Sequence, residues 1–294
     1  MEDTIGSRLL LGVDTSSGAR SAASWAAAEC GLRGGAVLMV HVPGSRSEPR
    51  LGWFPAAGVA GLAGWLLLDE LTVELHQHYP DVAVEQLLRH GDPAGTLTDL
   101  SALAELVVLG TTGGGSNLTS LIGSVSARVA AQAHCPVVIV PEQPVLPAIR
   151  TARTVVVGVA DTAAGRAALD FGFDEAARRT ISITAVRGWQ PQDPDEDSEN
   201  SNDAAAQLDR LLAGWCQRYP ELPIHPMLLP AHPAQAVLQA ARNAELVVIG
   251  AHHSDNPWSS RLGPVPQTVL HHTTCPIVLV GTPHRARHPQ PTQV

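Results

Sequence analysis

After the apolar run Leu106-Val107-Val108-Leu109 the chain reads Gly110-Thr111-Thr112-Gly113, nine further residues, and then Gly123-Ser124-Val125. This G-x2-G-x9-G-S spacing has a definite physical use. Glycines let a backbone approach a phosphate without a Cβ, and a helix starting at Gly123-Ser124 offers unpaired N–H groups at the positive end of its dipole. The Ser124 hydroxyl adds another donor. Such a site needs no lysine, because backbone amides supply much of the neutralisation. The chain has none, its 19 basic residues all being arginine. That absence excludes a Schiff-base enzyme, a P-loop NTPase and a protein kinase, each of which needs a lysine. Glycines after a strand also serve as plain tight turns, so the spacing alone leaves a phosphate cradle and a structural loop both open.

Other chemistries find less support. The 13 histidines lack ligand spacing: His76 and His78 are two apart on a helix, while His252-His253 and His271-His272 are adjacent, so their side chains diverge. No H-E-x-x-H and no G-x-S-x-G occurs, so neither a metal site nor a hydrolase serine is expected. The four cysteines form no C-x-x-C pair, and Cys135 and Cys275 occupy matching places before a strand, where they read as small core residues. Acidic residues outnumber basic ones, 28 to 19, so the clustered positive charge that a nucleic acid needs is not expected. Glu2 and Asp3 with no cationic region before an apolar stretch argue against a secretory signal and for a cytoplasmic protein. The uncharged stretch Leu51–Leu68 contains Pro55 and four glycines, which makes it a poor membrane span. It is expected to be a loop followed by the start of a helix, with Trp53, Phe54 and Trp65 as a candidate apolar flap or partner surface. Gln192–Asp203, with six carboxylates, reads as a solvated, disordered loop.

The elements that must position the glycines follow from an internal repeat. Tyr79-Pro80-Asp81 returns as Tyr219-Pro220-Glu221, Glu105–Gly110 as Glu245–Gly250, and Cys135–Val140 as Cys275–Val280, all displaced by 140. Gly12-Val13 matches Gly158-Val159 at an offset of 146, so the second copy is shorter in an intervening loop. Two domains are expected, 1–145 and 151–283, with a disordered tail 284–294; prolines at 141, 144 and 147 mark the boundary. Strands are predicted at 9–14, 37–42, 82–88, 106–110 and 137–140, with helices at 18–33, about 66–78, 93–104 and 123–134. The second copy predicts strands at 154–159, 181–186, 222–229, 246–250 and 277–280. Most strands are continuous apolar runs, as expected for parallel sheets covered on both faces. The fold class is therefore α/β, two tandem doubly wound, Rossmann-like domains, each with a five-stranded parallel sheet. Ligands in such folds sit beyond the carboxyl ends of the strands.

Taken with Gly12-Val13-Asp14, His41-Val42, Gly91-Asp92-Pro93 and His134-Cys135-Pro136-Val137, the glycine loop resembles that of the universal stress protein family in its tandem form. The resemblance implies ATP as ligand: Asp14 and Val42 on the adenosine part, Gly110, Gly113, Gly123, Ser124 and Val125 on ribose and phosphates, and a divalent ion such as Mg on the phosphates. It also implies pairing through the fifth strands, joining either the two copies or two chains in a homodimer. The second copy departs from the pattern. His253 replaces the middle glycine, Pro264 the serine, Ala160 stands at the place of Asp14, and Arg187 at that of His41. The nucleotide is therefore expected mainly in the first copy of a regulatory module acting in the stress response. The alternatives are a slow ATP-hydrolysing or adenylate-transferring enzyme and a nucleotide-free scaffold.

Overall fold

The computed structural model of the chain describes residues 7–43, 56–111, 123–142, 153–189, 197–251 and 262–282, with backbone alone for 7, 56–60 and 197–201. The first repeat runs β1 (Ser7–Val13), α1 (Ser17–Arg33), β2 (Gly35–His41), α2 (Ala56–His78), β3 (Ala83–Leu88), α3 (Pro93–Leu100), β4 (Leu106–Gly110), α4 (Ser124–Gln132) and β5 (Val137–Val140). The second repeats the order with β6 (Thr154–Gly158), α5 (Ala163–Arg179), β7 (Ser182–Trp189), α6 (Asp197–Arg218), β8 (Ile224–Pro230), α7 (Pro233–Ala240), β9 (Leu246–Gly250), α8 (Pro264–His272) and β10 (Ile277–Val280).

Successive strand residues point to opposite faces, and both faces are covered. Leu9, Leu11 and Val13 pack under α1 and α2, while Leu10 joins the cluster beneath α3 and α4. This is why the strands read as unbroken apolar runs. Helix starts carry the side chains that local chemistry calls for: Ser16 caps α1, Asp92 caps α3 and Thr162 caps α5, each accepting an N–H of the first turn.

The strands form a single ten-stranded sheet, β3-β2-β1-β4-β5-β10-β9-β6-β7-β8. Within each repeat all pairs are parallel, and the repeats meet where β5 and β10 pair antiparallel, Val138 opposite Val278. Of the two arrangements left open for the fifth strands, the chain uses the internal one. Glu29 and Arg33 of α1 meet Glu175 and Arg179 of α5 across the joint, in a buried quartet in which each arginine pairs with both glutamates.

Two expectations require correction. The helix before β3 starts at Ala56 rather than near 66. One of its glycines, Gly64, is required where the helix lies close to the sheet. A Cβ on Gly64 would come within 2.6 Å of Leu88 and 3.0 Å of His41. The acidic segment is not all loop: α6 begins at Asp197. Carboxylates in a first helical turn are favoured by the helix dipole, which converts an apparent solvated run into a helix start. The Gln192–Glu196 part of that run, Leu51–Pro55 with Trp53 and Phe54, and the tail 284–294 lie outside the described residues. Trp65, with Leu62, Leu66 and Val73, is exposed on α2. No helix among the described residues is long and apolar enough to cross a membrane.

Candidate functional site

In the first repeat the chain runs outward from β1 to β2 and β3 on one side and returns through β4 and β5 on the other. The carboxyl ends of β1 and β4 therefore diverge, and a crevice opens at that switch point. Its volume is about 580 Å³, within the range of small-ligand pockets. Gly12–Ser16, Val40–Pro43, Leu109-Gly110 and the start of α4 at Gly123–Ser126 line it, with Ala63, Gly64 and Leu67 of α2 and Pro93 and Leu97 of α3 on its flanks. Six of the seven expected site residues, Asp14, Val42, Gly110, Gly123, Ser124 and Val125, are brought together here. The seventh, Gly113, lies outside the described residues.

Each wall has its own chemistry. Asp14 is exposed, and its Oδ1 accepts from the Ser16 amide at 3.0 Å and the Ser16 hydroxyl at 2.5 Å, an arrangement that fixes the carboxylate at the mouth of the cleft. His41 donates Nδ1–H to the Val13 carbonyl at 2.8 Å, because a carbonyl can only accept. Val42 is buried and supplies an apolar wall. Helix α4 starts at Ser124 after the N-cap Gly123, which has no side chain to bond the first turn, and among the described residues the Ser124 and Val125 amides line the cleft without a competing cap.

Two further residues contribute that the sequence reading did not single out. Ser126, buried, donates its hydroxyl to the Gly110 carbonyl at 3.2 Å and ties the start of α4 to the end of β4. Arg128, one turn beyond Ser124, forms a bidentate pair with Asp92 at 3.1 and 2.8 Å and ties α4 to the cap of α3. The Arg128 guanidinium, together with the Gly95 and Ala94 amides, holds the Asp92 carboxyl below the usual carboxylate range. A helical spacing of four from Ser124 is the only sequence signal for Arg128, and it is weak.

Gly110 has a reason of its own to be glycine. A Cβ there would lie 2.3 Å from the carbonyl carbon and oxygen of Gly18, and one on Gly18 would lie 1.9 Å from the Thr111 oxygen. The end of β4 and the start of α1 cross backbone to backbone, and only a pair of glycines permits it. Gly250 has the same need in milder form, its Cβ meeting Ala164 at 3.0 Å. The first glycine of the motif is thus accounted for by packing in both repeats, and the weight of a phosphate-cradle argument moves to the α4 start.

The second repeat differs where the first opens. Pro264 and Pro266 occupy the first and third positions of α8, so two of its leading N–H donors are missing. Pro266 replaces Ser126, a difference that the sequence reading passed over. Helix α7 lies against β7, and a Cβ on Gly188, at the place of Val42, would meet the Ala231 oxygen at 2.6 Å. His252 and His253 lie outside the described residues. Among the described residues no three His, Cys, Asp or Glu side chains come together as a metal site. Burial pushes the Cys135 thiol up to about 12, and Cys30 is raised for the same reason, so neither is an activated nucleophile.

Parallel strands covered by helices on both faces, with a crevice at the switch point of the first repeat, define a doubly wound α/β fold, duplicated in one chain. The chain belongs to the universal stress protein family, whose profile matches residues 7–141 and 151–281. It is 30% identical over 303 residues to universal stress protein MT2052 of Mycobacterium tuberculosis strain CDC 1551, covering 94% of this chain and 95% of that one. It is 32% identical over 288 residues to universal stress protein Rv2623 of M. tuberculosis strain H37Rv, covering 92% and 95%. The crystal structure of a universal stress protein from Archaeoglobus fulgidus DSM 4304 shares the fold over 94% of this chain and 96% of its own, with a TM-score of 0.71 at 16% identity.

Proposed function

We propose that the chain is an ATP-binding regulatory module in which the first repeat, 1–145, holds the nucleotide and the second, 151–283, acts mainly as its structural partner, followed by a tail at 284–294. The observation that carries this reading is the convergence of Asp14, Val42, Gly110, Gly123, Ser124 and Val125 on one cleft of about 580 Å³. In the proposed arrangement Asp14 accepts from the ribose hydroxyls and Val42 packs on the base. The Ser124 and Val125 amides and the Ser124 hydroxyl bind phosphate oxygens at the positive end of α4, beside Gly110, and Gly113 leaves room for them. A magnesium ion would take most of its ligands from the phosphates.

Binding, rather than turnover, is the function assigned. Among the residues lining the cleft, the Oδ1 of Asp14 is engaged by Ser16 and the Nδ1 of His41 by Val13, which suits them to shape the site. A bound nucleotide acts as a signal through its preference for one conformation of the chain. Four free cysteines fit a cytoplasmic setting.

The test is the adenine nucleotide content of freshly purified protein, released by denaturation and counted per chain. About one ATP per chain supports the asymmetric reading. About two overturns the role given to the second repeat. None, with no binding on adding ATP and magnesium, leaves the scaffold reading in its place. Multiple turnovers to ADP or AMP, abolished in Ser124→Ala, would make the protein an enzyme.

A further inference from the structure

The second repeat does not simply lose the features of the first; it replaces them with a different set. Near the carboxyl end of β7, opposite Leu228 as His41 is opposite Leu88, stands Arg187. Its Nη2 donates to Gln207 Oε1 of α6 at 3.1 Å. Its Nη1 is buried and has no hydrogen-bond partner among the described residues. A guanidinium is always charged and has only donors, so a buried N–H of this kind calls for an acceptor.

The local charge has changed in the same direction. Where the first repeat places the Asp14 carboxylate, the second has Ala160. The neighbouring Asp161 is exposed and paired with Arg166 at 2.5 Å. The site has thus lost an anion and gained a cation. Space has shrunk as well. The Ala231 carbonyl and Pro233 press on Gly188, within 2.6 and 2.8 Å of where a Cβ would be. Pro264 and Pro266 remove donors from the start of α8. A nucleoside has neither its slot nor its phosphate-binding helix here.

From these observations we infer that the second repeat binds a compact oxyanion, a phosphate or carboxylate group, on Arg187 at the carboxyl ends of β6 and β7. Nη1 donates to one ligand oxygen, Gln207 holds the guanidinium in place, and Ala160 leaves out the carboxylate that Asp14 places in the first repeat. This site is separate from the cleft of the first repeat and does not depend on how that cleft is used.

The experiment is calorimetric titration of the full chain with inorganic phosphate and, separately, malonate, at constant ionic strength, run both with and without excess ATP. Saturable binding of at least one probe, weakened tenfold or more in Arg187→Gln, is expected. Phosphate alone identifies phosphate compounds as the ligand class, malonate alone carboxylates, and both a general oxyanion site. Should Arg187→Gln not fold, Ala160→Asp, on an exposed position, places a carboxylate at the approach and is expected to weaken binding by a similar factor. Absence of saturable binding of either probe, or binding unchanged in the variants, overturns the inference.

Discussion

Arg33 of α1 donates Nη2 to the carboxylate of Glu175 on α5, 142 residues further along the chain, and Arg179 returns the contact to Glu29. Within each helix the same arginines also pair with the glutamate one turn earlier. The reciprocity follows from the repeat: Glu29 and Arg33 correspond to Glu175 and Arg179 at an offset of 146, and antiparallel pairing of β5 with β10 brings the two helices together about a local two-fold axis. Glu105 and Glu245 stand at the rim of the cluster, 3.7 and 3.5 Å from the two arginines. Two positive and two negative charges leave the centre of the joint neutral.

Removing one member of this quartet should be costly. The four side chains are between 1% and 7% exposed. Glu175→Gln leaves buried guanidinium charge uncompensated, and the expected loss is about 3 kcal/mol or more. Replacing all four residues by apolar side chains of similar size is expected to be close to neutral, because the desolvation cost vanishes with the pairs. Urea unfolding measures both. A Glu175→Gln variant as stable as the parent would show that the quartet does not hold the joint.

Gly110→Ala and Gly18→Ala should each destabilise by roughly 1–3 kcal/mol, the range for forced overpacking, since a methyl group at either place meets backbone that cannot yield like a side chain. Any loss of ATP in Gly110→Ala would then accompany loss of fold. Thermal denaturation and nucleotide content, measured together, separate this from a direct effect. A Gly110→Ala protein with parental stability and no nucleotide would contradict the packing account.

Ser124→Ala tests the proposed phosphate contact without touching the crossing. Ser124 is exposed at the start of α4, so the fold should be retained. Loss of one hydrogen bond to a charged oxygen predicts roughly tenfold weaker ATP binding, about 1.5 kcal/mol. Calorimetry on nucleotide-stripped protein provides the number. Unchanged affinity would remove the hydroxyl from the site.

The Asp92–Arg128 pair predicts a pH dependence of definite sign. With its folded pKa below the unfolded value of about 3.9, Asp92 contributes stability that is present above that pH and lost as the pH falls through the folded pKa. Melting temperatures of the parent should therefore drop more between pH 5 and strongly acidic conditions than those of Asp92→Asn. Parallel profiles would show that the pair contributes nothing to stability.

Thiol reactivity should sort by environment. Cys216 is exposed, Cys30 and Cys275 are buried, and the Cys135 thiol is pushed up to about 12. At pH 8 the thiolate population of Cys135 is then lower than that of an ordinary cysteine by about three orders of magnitude. Native protein is expected to release one rapid equivalent with a disulfide reagent, abolished by Cys216→Ser. Two or more rapid equivalents would mean that the core opens readily.

Much of the fold was legible in the linear sequence. The repeat and the alternation of apolar strand runs with helical stretches are signals of the sequence, and such signals determine which elements form. The same applies to the candidate site up to a point. Asp14 and Val42 follow β1 and β2, and Gly123–Val125 open α4, so a rule about strand ends sufficed to group them. Where local signals conflict the reading failed. Glycines at 58, 61 and 64 resemble loop, yet α2 runs through them, and only at Gly64 does close approach to Leu88 and His41 give a packing reason for the glycine. Carboxylates at 197 and 199 resemble solvated loop, yet they begin α6.

Other features were decided only by the tertiary structure. Whether β5 pairs within the chain or between chains is a question of distance in space. That Gly110 is glycine because of Gly18 depends on the crossing of two backbones 92 residues apart in sequence. The buried quartet, and an Arg187 Nη1 with no partner among the described residues, depend on which charges burial brings together. Sequence determines the preferences of each segment, since those arise from neighbouring residues, whereas contacts between segments are fixed only when the whole chain packs and the cost of each unsatisfied charge or crowded atom is settled jointly.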